Sequence, residues 1–287
     1  MRRANVIQKE TEQITTVKDL TGVFESIAST QIAKTKDKAL TSEEFFQLLW
    51  GVYSSIRIDP KSQIRSRGQK GNGKKVFVII SAEAGLSGDI DQRLIETMLQ
   101  HYDQATTDII VLGSHGATQL KQRGIPYIHY FRVPESDSYI DVAPVIRAIA
   151  SYSGITVYYE EYVSLGVQEI KSIDLFMSIQ TMSEQLDQNE DIITSEDTIF
   201  EPSLDEIADQ MEVMMMTLAF SQAILDSSLA QNASRFNAMA VAKKRANELV
   251  ALYKLEYHRS KRAEGDRGLR EVMISIKKKK RRAGAPR

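Results

Sequence analysis

The sequence predicts an α/β fold with long helices, in which helical segments from the two ends of the chain flank a central α/β domain. Three observations predict it. From Ser203 to Glu264 the chain runs 62 residues without a Gly or Pro, whereas helices in compact domains average about 11–12 residues. The first 58 residues carry apolar side chains at helical spacing. Between Lys75 and Phe176 the pattern changes to short apolar runs separated by polar helical stretches.

Residues 1–58 read as a helix because Ile14, Val17, Leu20, Phe24, Ile27 and Ala28 recur at steps of three and four, and Phe45, Phe46, Leu48, Leu49 and Val52 continue an apolar side. Phe24 and Ile27 are expected in its packing seam. Gly22 is a weak point that a closely packed neighbour would tolerate. Asp59-Pro60 breaks the pattern, and residues 59–75, basic and Gly-rich from Ser66 onward, read as a linker.

Residues 76–200 form the expected central domain. Val76–Ile80, Asp108–Gly113 and Ile155–Tyr159 read as buried strands, with Asp91–Tyr102 and Val142–Ser151 as crossover helices. Asn189–Thr198 reads as an acidic loop. The second long helix spans 201–276, with Ser203 as N-cap and Glu206 completing a capping box. Leu204, Ala208, Met211, Met215, Leu218, Gln222, Leu225 and Leu229 step by four and three, which is a coiled-coil seam with Met211, Met215, Leu218 and Leu225 at its core. Residues 277–287 are left as a basic tail.

A helix of that length needs a partner for its apolar stripe, and the amino-terminal helix is the one available, so a two-stranded rod is expected. Charge is segregated along it. The formal net charge is only −1, yet no Lys or Arg lies between Lys171 and Arg235, where 13 acidic residues occur; Arg235–Arg287 holds 17 basic against 5 acidic residues. A basic end of this kind suits an acidic partner surface. With no cysteine, disulfides and thiolate chemistry are excluded. The apolar core of a signal peptide is missing after Met1, and no membrane span is expected.

Motifs that could carry chemistry fail on inspection. Gly68–Lys75 has the glycines and lysine of a phosphate-binding loop, but Lys75 replaces the hydroxyl that holds Mg²⁺, and the stretch precedes a strand instead of joining strand to helix. Gly85-Leu86-Ser87-Gly88-Asp89 resembles a nucleophile elbow, with Asp89 where the second glycine belongs. His101, His115, His129 and His258 are scattered, without metal-ligand spacing. No catalytic residue, cofactor or metal site is expected.

Both ends and the middle of the chain resemble the gamma subunit of F-type ATP synthases, in a divergent bacterial form. Gln231–Ala242 resembles the family's E-x-x-x-R-M-x-A-M-x-x-A, Tyr257–Ala263 its Y-N-x-x-R-Q-A, and Leu20–Ser29 its first-helix I-T-K-A-M-x-M-V-A-A. Ser81–Ile90 resembles S-D-R-G-L-C-G-G-L-N, and Ile110–Gly116 the I-G-x-K-G turn.

The resemblance implies an antiparallel coiled coil and a Rossmann-like central domain. It implies one copy per complex, partnered by a hexamer of alpha and beta subunits, by epsilon and by the membrane c-subunit ring, at the cytoplasmic face of a bacterial plasma membrane. It also implies that rotation of this shaft couples ion flow to ATP synthesis or hydrolysis, with no nucleic acid and no small-molecule substrate of its own. Lys261 and Arg262, at the family's Arg-Gln pair, are the expected hexamer contacts, followed by Arg235, Lys34, Lys36 and Lys38.

The chain departs from the family at Gly265 and Gly268, where a kink or fraying is expected, at Gln31, and at the run Lys277–Arg282. A coiled-coil adaptor without rotary role, or a protein binding nucleic acid through the basic tail, are the alternative readings. Aromatic residues interleaved with the basic ones would favour the latter and are lacking.

From these residues the isolated chain is expected to show no ATPase activity. An ATPase rate that disappears on Lys74→Ala would overturn the non-catalytic reading.

Overall fold

The computed structural model describes residues 3–55, 73–133, 141–175 and 204–283. Its elements, in chain order, are α1 (Ala4–Ser55), β1 (Lys75–Ile80), α2 (Ile90–Leu99), β2 (Thr107–Leu112), α3 (Ser114–Gln122), β3 (His129–Phe131), α4 (Ala143–Ile149), β4 (Gly154–Tyr162), β5 (Gln168–Asp174) and α5 (Leu204–Ala283). The expected linker from Ser66, the loop at Asn189–Thr198 and the cap at Ser203 lie largely or wholly outside the described residues. Two compact units result: Met1–Ser26 with Met239–Arg287, and Ile27–Ala238.

In the first unit the parts of α1 and α5 run antiparallel. The Ala4 N–H donates to Glu264 Oε1 at 3.0 Å, and Lys243 Nζ donates to Glu25 Oε2 at 2.6 Å. Twenty-one residues separate the two partners on α1 and twenty-one separate those on α5, in opposite directions. The Glu264 carboxylate satisfies one of the backbone donors that the first turn of a helix leaves open, at the end where negative charge is favoured.

The buried α1 positions are Ala4, Ile7 and Thr21 in this unit and Ala28, Thr35 and Ala39 in the other. Phe24 and Ile27 correct the expected seam: they are 38% and 49% exposed, with Val17, Leu20 and Val23 beside them on the outside. Apart from Ile7, the buried α1 side chains are small, and the bulky residues of the same helix between Val17 and Ile27 lie outside.

The second unit is a three-layer α/β sandwich. Its five-stranded sheet has the order β3-β2-β1-β4-β5, parallel throughout except for β4 and β5, which are antiparallel. Continuous apolar runs such as Val-Phe-Val-Ile-Ile suit strands covered on both faces. On one face Phe77, Ile79, Ile109, Val111 and Tyr158 pack with Leu94, Ile95 and Met98 of α2 and Leu120 of α3. On the other, Val76, Val78, Ile80, Ile110, Leu112, Ile155, Val157 and Tyr159 pack with Val145 and Ile149 of α4.

The second face is completed by α5, through Phe220, Ala223 and Ile224. The sequence periodicity predicts only a coiled-coil strand for this helix. Here it is also a layer of the domain, so it is apolar on more than one side: Met215, Met216, Leu225 and Leu229 are buried in addition, with Met211 and Leu218 half-buried. Contrary to the expectation of no such stretch, one 18-residue window between Val213 and Lys279 is apolar enough for a membrane span by composition; half of it is buried inside the protein. A helix covering a sheet meets the same compositional test.

β3 and β5 are absent from the strands that the sequence predicts. β3 is three residues long and β5 is polar except at Ile170 and Ile173, so neither carries the buried-strand signature. At the carboxyl end, α5 runs unbroken through Gly265 and Gly268 to Ala283. Glycine lowers helix propensity by about 1 kcal/mol without forbidding the conformation.

Phe220→Ala removes a wholly buried ring from the sheet–helix core and is expected to cost about 3–5 kcal/mol. Gly22→Ala is expected to stabilise by up to about 1 kcal/mol, since an added Cβ meets Lys243 Cε at an ordinary 3.7 Å. Chemical denaturation of the two variants checks both signs.

Candidate functional site

The described residues concentrate their buried polar chemistry at the carboxyl ends of β1 and β4. The chain reaches β2 and β3 on one side of β1 and returns to β4 on the other, so this is the switch point where open α/β sheets bind ligands. In this protein a polar stripe of α5 fills it. Ser227, Gln231, Ser234 and Arg235 follow at i, i+4, i+7 and i+8, one face of a helix, continuing the turns that pack on the sheet.

The stripe grips the sheet at β1, at β4 and at the loop after β1. Ser227 Oγ lies 3.3 Å from Ile80 O and 2.5 Å from Glu160 Oε2, and Gln231 Nε2 donates to that same carboxyl oxygen at 2.8 Å. Ser234 Oγ donates to Ser87 O at 2.5 Å; Arg235 donates to Gly85 O at 3.3 Å and Ala84 O at 3.0 Å. Nearby on α5, Asn237 Nδ2 donates to Leu165 O in the β4–β5 hairpin. The clamp needs glycine at Gly88, whose backbone is left-handed at φ 72° and whose Cβ would stand 3.4 Å from Ser234 Oγ.

The loop after β1 is held from inside by Asp91, which is 1% exposed. Its carboxylate accepts from Ala82 N–H at 2.8 Å and Ser87 Oγ at 2.9 Å, with His115 Nδ1 at 3.0 Å. His115 is therefore not isolated, despite its distance along the sequence from other site residues. The arrangement is still no hydrolytic triad, because the carboxylate stands between serine and histidine and Ser87 is wholly buried. Glu83 joins the neighbouring loops, accepting from Val133 N–H at 2.7 Å and Ser114 N–H at 3.3 Å. Ahead of α3, a Cβ at Gly113 (φ 96°) would stand only 2.1 Å from Ser81 O, so no side chain fits there.

Two charges in the clamp are perturbed. Burial, then the negative charge of Asp91, raises the Glu160 carboxyl well above the ordinary carboxylate range, against opposing hydrogen bonds from Ser227 and Gln231. Burial lowers the Arg235 pKa, with Asp91 opposing.

Of the expected contact residues, Arg235 has its donors committed to Ala84, Gly85 and Asn232. Lys34, Lys36 and Lys38 lie on α1, and Lys261 and Arg262 are exposed on α5, with Lys261 Nζ 5.6 Å from the Tyr257 ring centre. Sequence reasoning missed the clamp, although four polar residues on one face of an otherwise apolar stretch were a usable signal. Glu160, the last buried residue of β4, carried none.

A family model described as ATP synthase matches residues 3–276. The ATP synthase gamma chain of Malacoplasma penetrans (strain HF-2) is 22% identical, covering 96% of this chain and 99% of that one; the gamma chain of Clostridium novyi (strain NT) is 25% identical, covering 93% and 95%. Among solved structures, a chain of the Euglena gracilis mitochondrial ATP synthase, OSCP/F1/c-ring, superposes with a TM-score of 0.69 at 13% identity over 99% of this chain and 97% of that one. A chain of the Euglena gracilis rotor has a TM-score of 0.63 at 15% identity, covering 90% and 98%. With two long terminal helices, a five-stranded switch-point sheet closed by one of them, and a family match over nearly its whole length, this chain belongs to the ATP synthase gamma-chain family.

Proposed function

We propose that the chain is the central rotor shaft of an F-type ATP synthase, with no catalytic step of its own. It turns with a membrane ring of c subunits and epsilon, inside a hexamer of alpha and beta subunits, and couples ion-driven rotation to ATP synthesis or hydrolysis there. One copy per complex and a peripheral place at the cytoplasmic face of a bacterial membrane follow from the same reading. The bounds it uses are 1–58 and 201–276 for the shaft helices, 76–200 for the central domain and 277–287 for the basic end.

The observation that carries the proposal is the polar stripe of α5 in the switch-point crevice. A domain that binds a small ligand keeps that crevice open; here its place serves to fix an 80-residue helix to a sheet. Torque applied to the domain then reaches α5 through the clamp and the Phe220 core together. The outward apolar face of α1, at Val17, Leu20, Val23, Phe24 and Ile27, supports the reading further, because exposed stripes of this kind mark partner surfaces.

A shaft biases its neighbours only through contacts that differ with angle. Lys261 and Arg262 are proposed as such contacts with an acidic surface of the hexamer, and Lys34, Lys36 and Lys38 as secondary ones. Lys261→Ala with Arg262→Ala is expected to reduce rotation-coupled ATP turnover more than recovery of the complex, since charge-assisted hydrogen bonds worth about 1.5–3 kcal/mol each are lost while apolar contact remains. Turnover and recovery are measured side by side, with Lys279→Ala and Lys280→Ala as control. Greater damage from the control pair places the contact in the basic end instead, and a pull-down of the unmodified chain that lacks the hexamer favours a stalk adaptor.

A further inference from the structure

Glu160 stands in a proton-counting problem. Ser227 has one hydroxyl proton, yet its oxygen lies within hydrogen-bond distance of two oxygens, Ile80 O at 3.3 Å and Glu160 Oε2 at 2.5 Å. Gln231 supplies one N–H to each of Ser227 Oγ, at 3.0 Å, and Glu160 Oε2, at 2.8 Å, and has no more to give. If Glu160 is ionised, Ser227 satisfies the carboxylate only by leaving Ile80. If Ser227 keeps Ile80, two bare oxygens face each other at 2.5 Å.

One added proton resolves this. Carried on Oε2, it is donated to Ser227 Oγ, which donates onward to Ile80 O while Gln231 serves both oxygens. The other carboxyl oxygen, Oε1, is buried with no hydrogen-bond partner among the described residues. An anion would leave half of its charge unsolvated there, whereas the carbonyl oxygen of a neutral acid loses much less.

We propose that Glu160 is a proton-binding site that closes the clamp between α5 and the sheet, and that loss of this proton at rising pH loosens the helix from the domain. The groups around it agree. From α2, Asp91 opposes ionisation through its charge and Arg93 favours it; from α5, Ser227 and Gln231 offer neutral hydrogen bonds, with Asp226 and Arg235 as the nearest charged neighbours along that helix; His115 meets Asp91 from α3; Tyr158, Tyr159 and Glu161 flank Glu160 on its own strand. No cation lies within ion-pair distance of it among the described residues. The proposal does not depend on the rotary reading.

The direction of the pH effect follows from linkage. Glu160 binds its proton more tightly folded than unfolded, so its contribution is fully present below the unfolded value, near pH 4.5, and is lost as pH rises toward the folded value. Glu160→Gln keeps the shape and cannot ionise. The ratio of the wild-type folding constant to that of Glu160→Gln, from denaturant melts of the full chain, is expected to fall up to about tenfold per pH unit between about pH 5 and the folded value.

Infrared spectra give an independent test on the unmodified protein. A protonated-carboxyl stretch is expected to persist at neutral pH, to vanish in Glu160→Gln and to shift in Ser227→Ala. A pH-independent folding ratio overturns the proposal. Should Glu160→Gln fail to fold, the spectra of the wild type and of Ser227→Ala decide: no such band at neutral pH, or one that Ser227→Ala leaves in place, overturns it as well.

Discussion

A parallel sheet has two apolar faces, and each must be covered before the strands can exist at all. α2 and α3 cover one; α4 is seven residues long and cannot cover the other. The missing cover is α5, whose Phe220, Ala223 and Ile224 complete the core over Val76, Val78, Ile80, Val157 and Tyr159. Everything else in the second unit depends on that seat, because a helix held there by apolar contact alone could slide or roll. The polar stripe that follows fixes its position and rotation.

The stripe works because buried polar groups are directional where apolar contacts are not. Ser227, Gln231, Ser234 and Arg235 meet acceptors on β1, on β4 and on the loop after β1, so displacing the helix by even one residue would leave several of those acceptors buried and unpaired. Asp91 and Glu83 make the acceptors rigid from behind. A joint of this kind suits a part that must carry load between a domain and a long helix, and it takes up the crevice that related sheet architectures give to a ligand.

The coiled-coil pattern illustrates how a correct period can be assigned to the wrong face. α1 has a stripe of Ile, Val, Leu and Phe, and the same helix has a stripe of Ala and Thr. Hydrophobicity alone favours the first as the seam, yet beyond Ile7 the buried side chains are Thr21, Ala28, Thr35 and Ala39, and Phe24 and Ile27 face out. In α5 the opposite occurs: Met215 and Leu225 are buried together with Phe220 and Ile224 on another side, since the helix is enclosed from more than one direction.

Local chemistry was enough to determine the long helices and the three central strands Val76–Ile80, Asp108–Gly113 and Ile155–Tyr159, because each rests on residues close in sequence: absent helix breakers and apolar runs. Only the tertiary structure decided that α5 serves as a layer of the domain, that Arg235 spends its donors on Ala84 and Gly85, and that Glu160 is buried against Ser227 and Gln231, 67 and 71 residues away. Those outcomes come from strand order and from which face of a helix is enclosed. They are set by the closing of the whole sheet, an event that no short window of sequence contains.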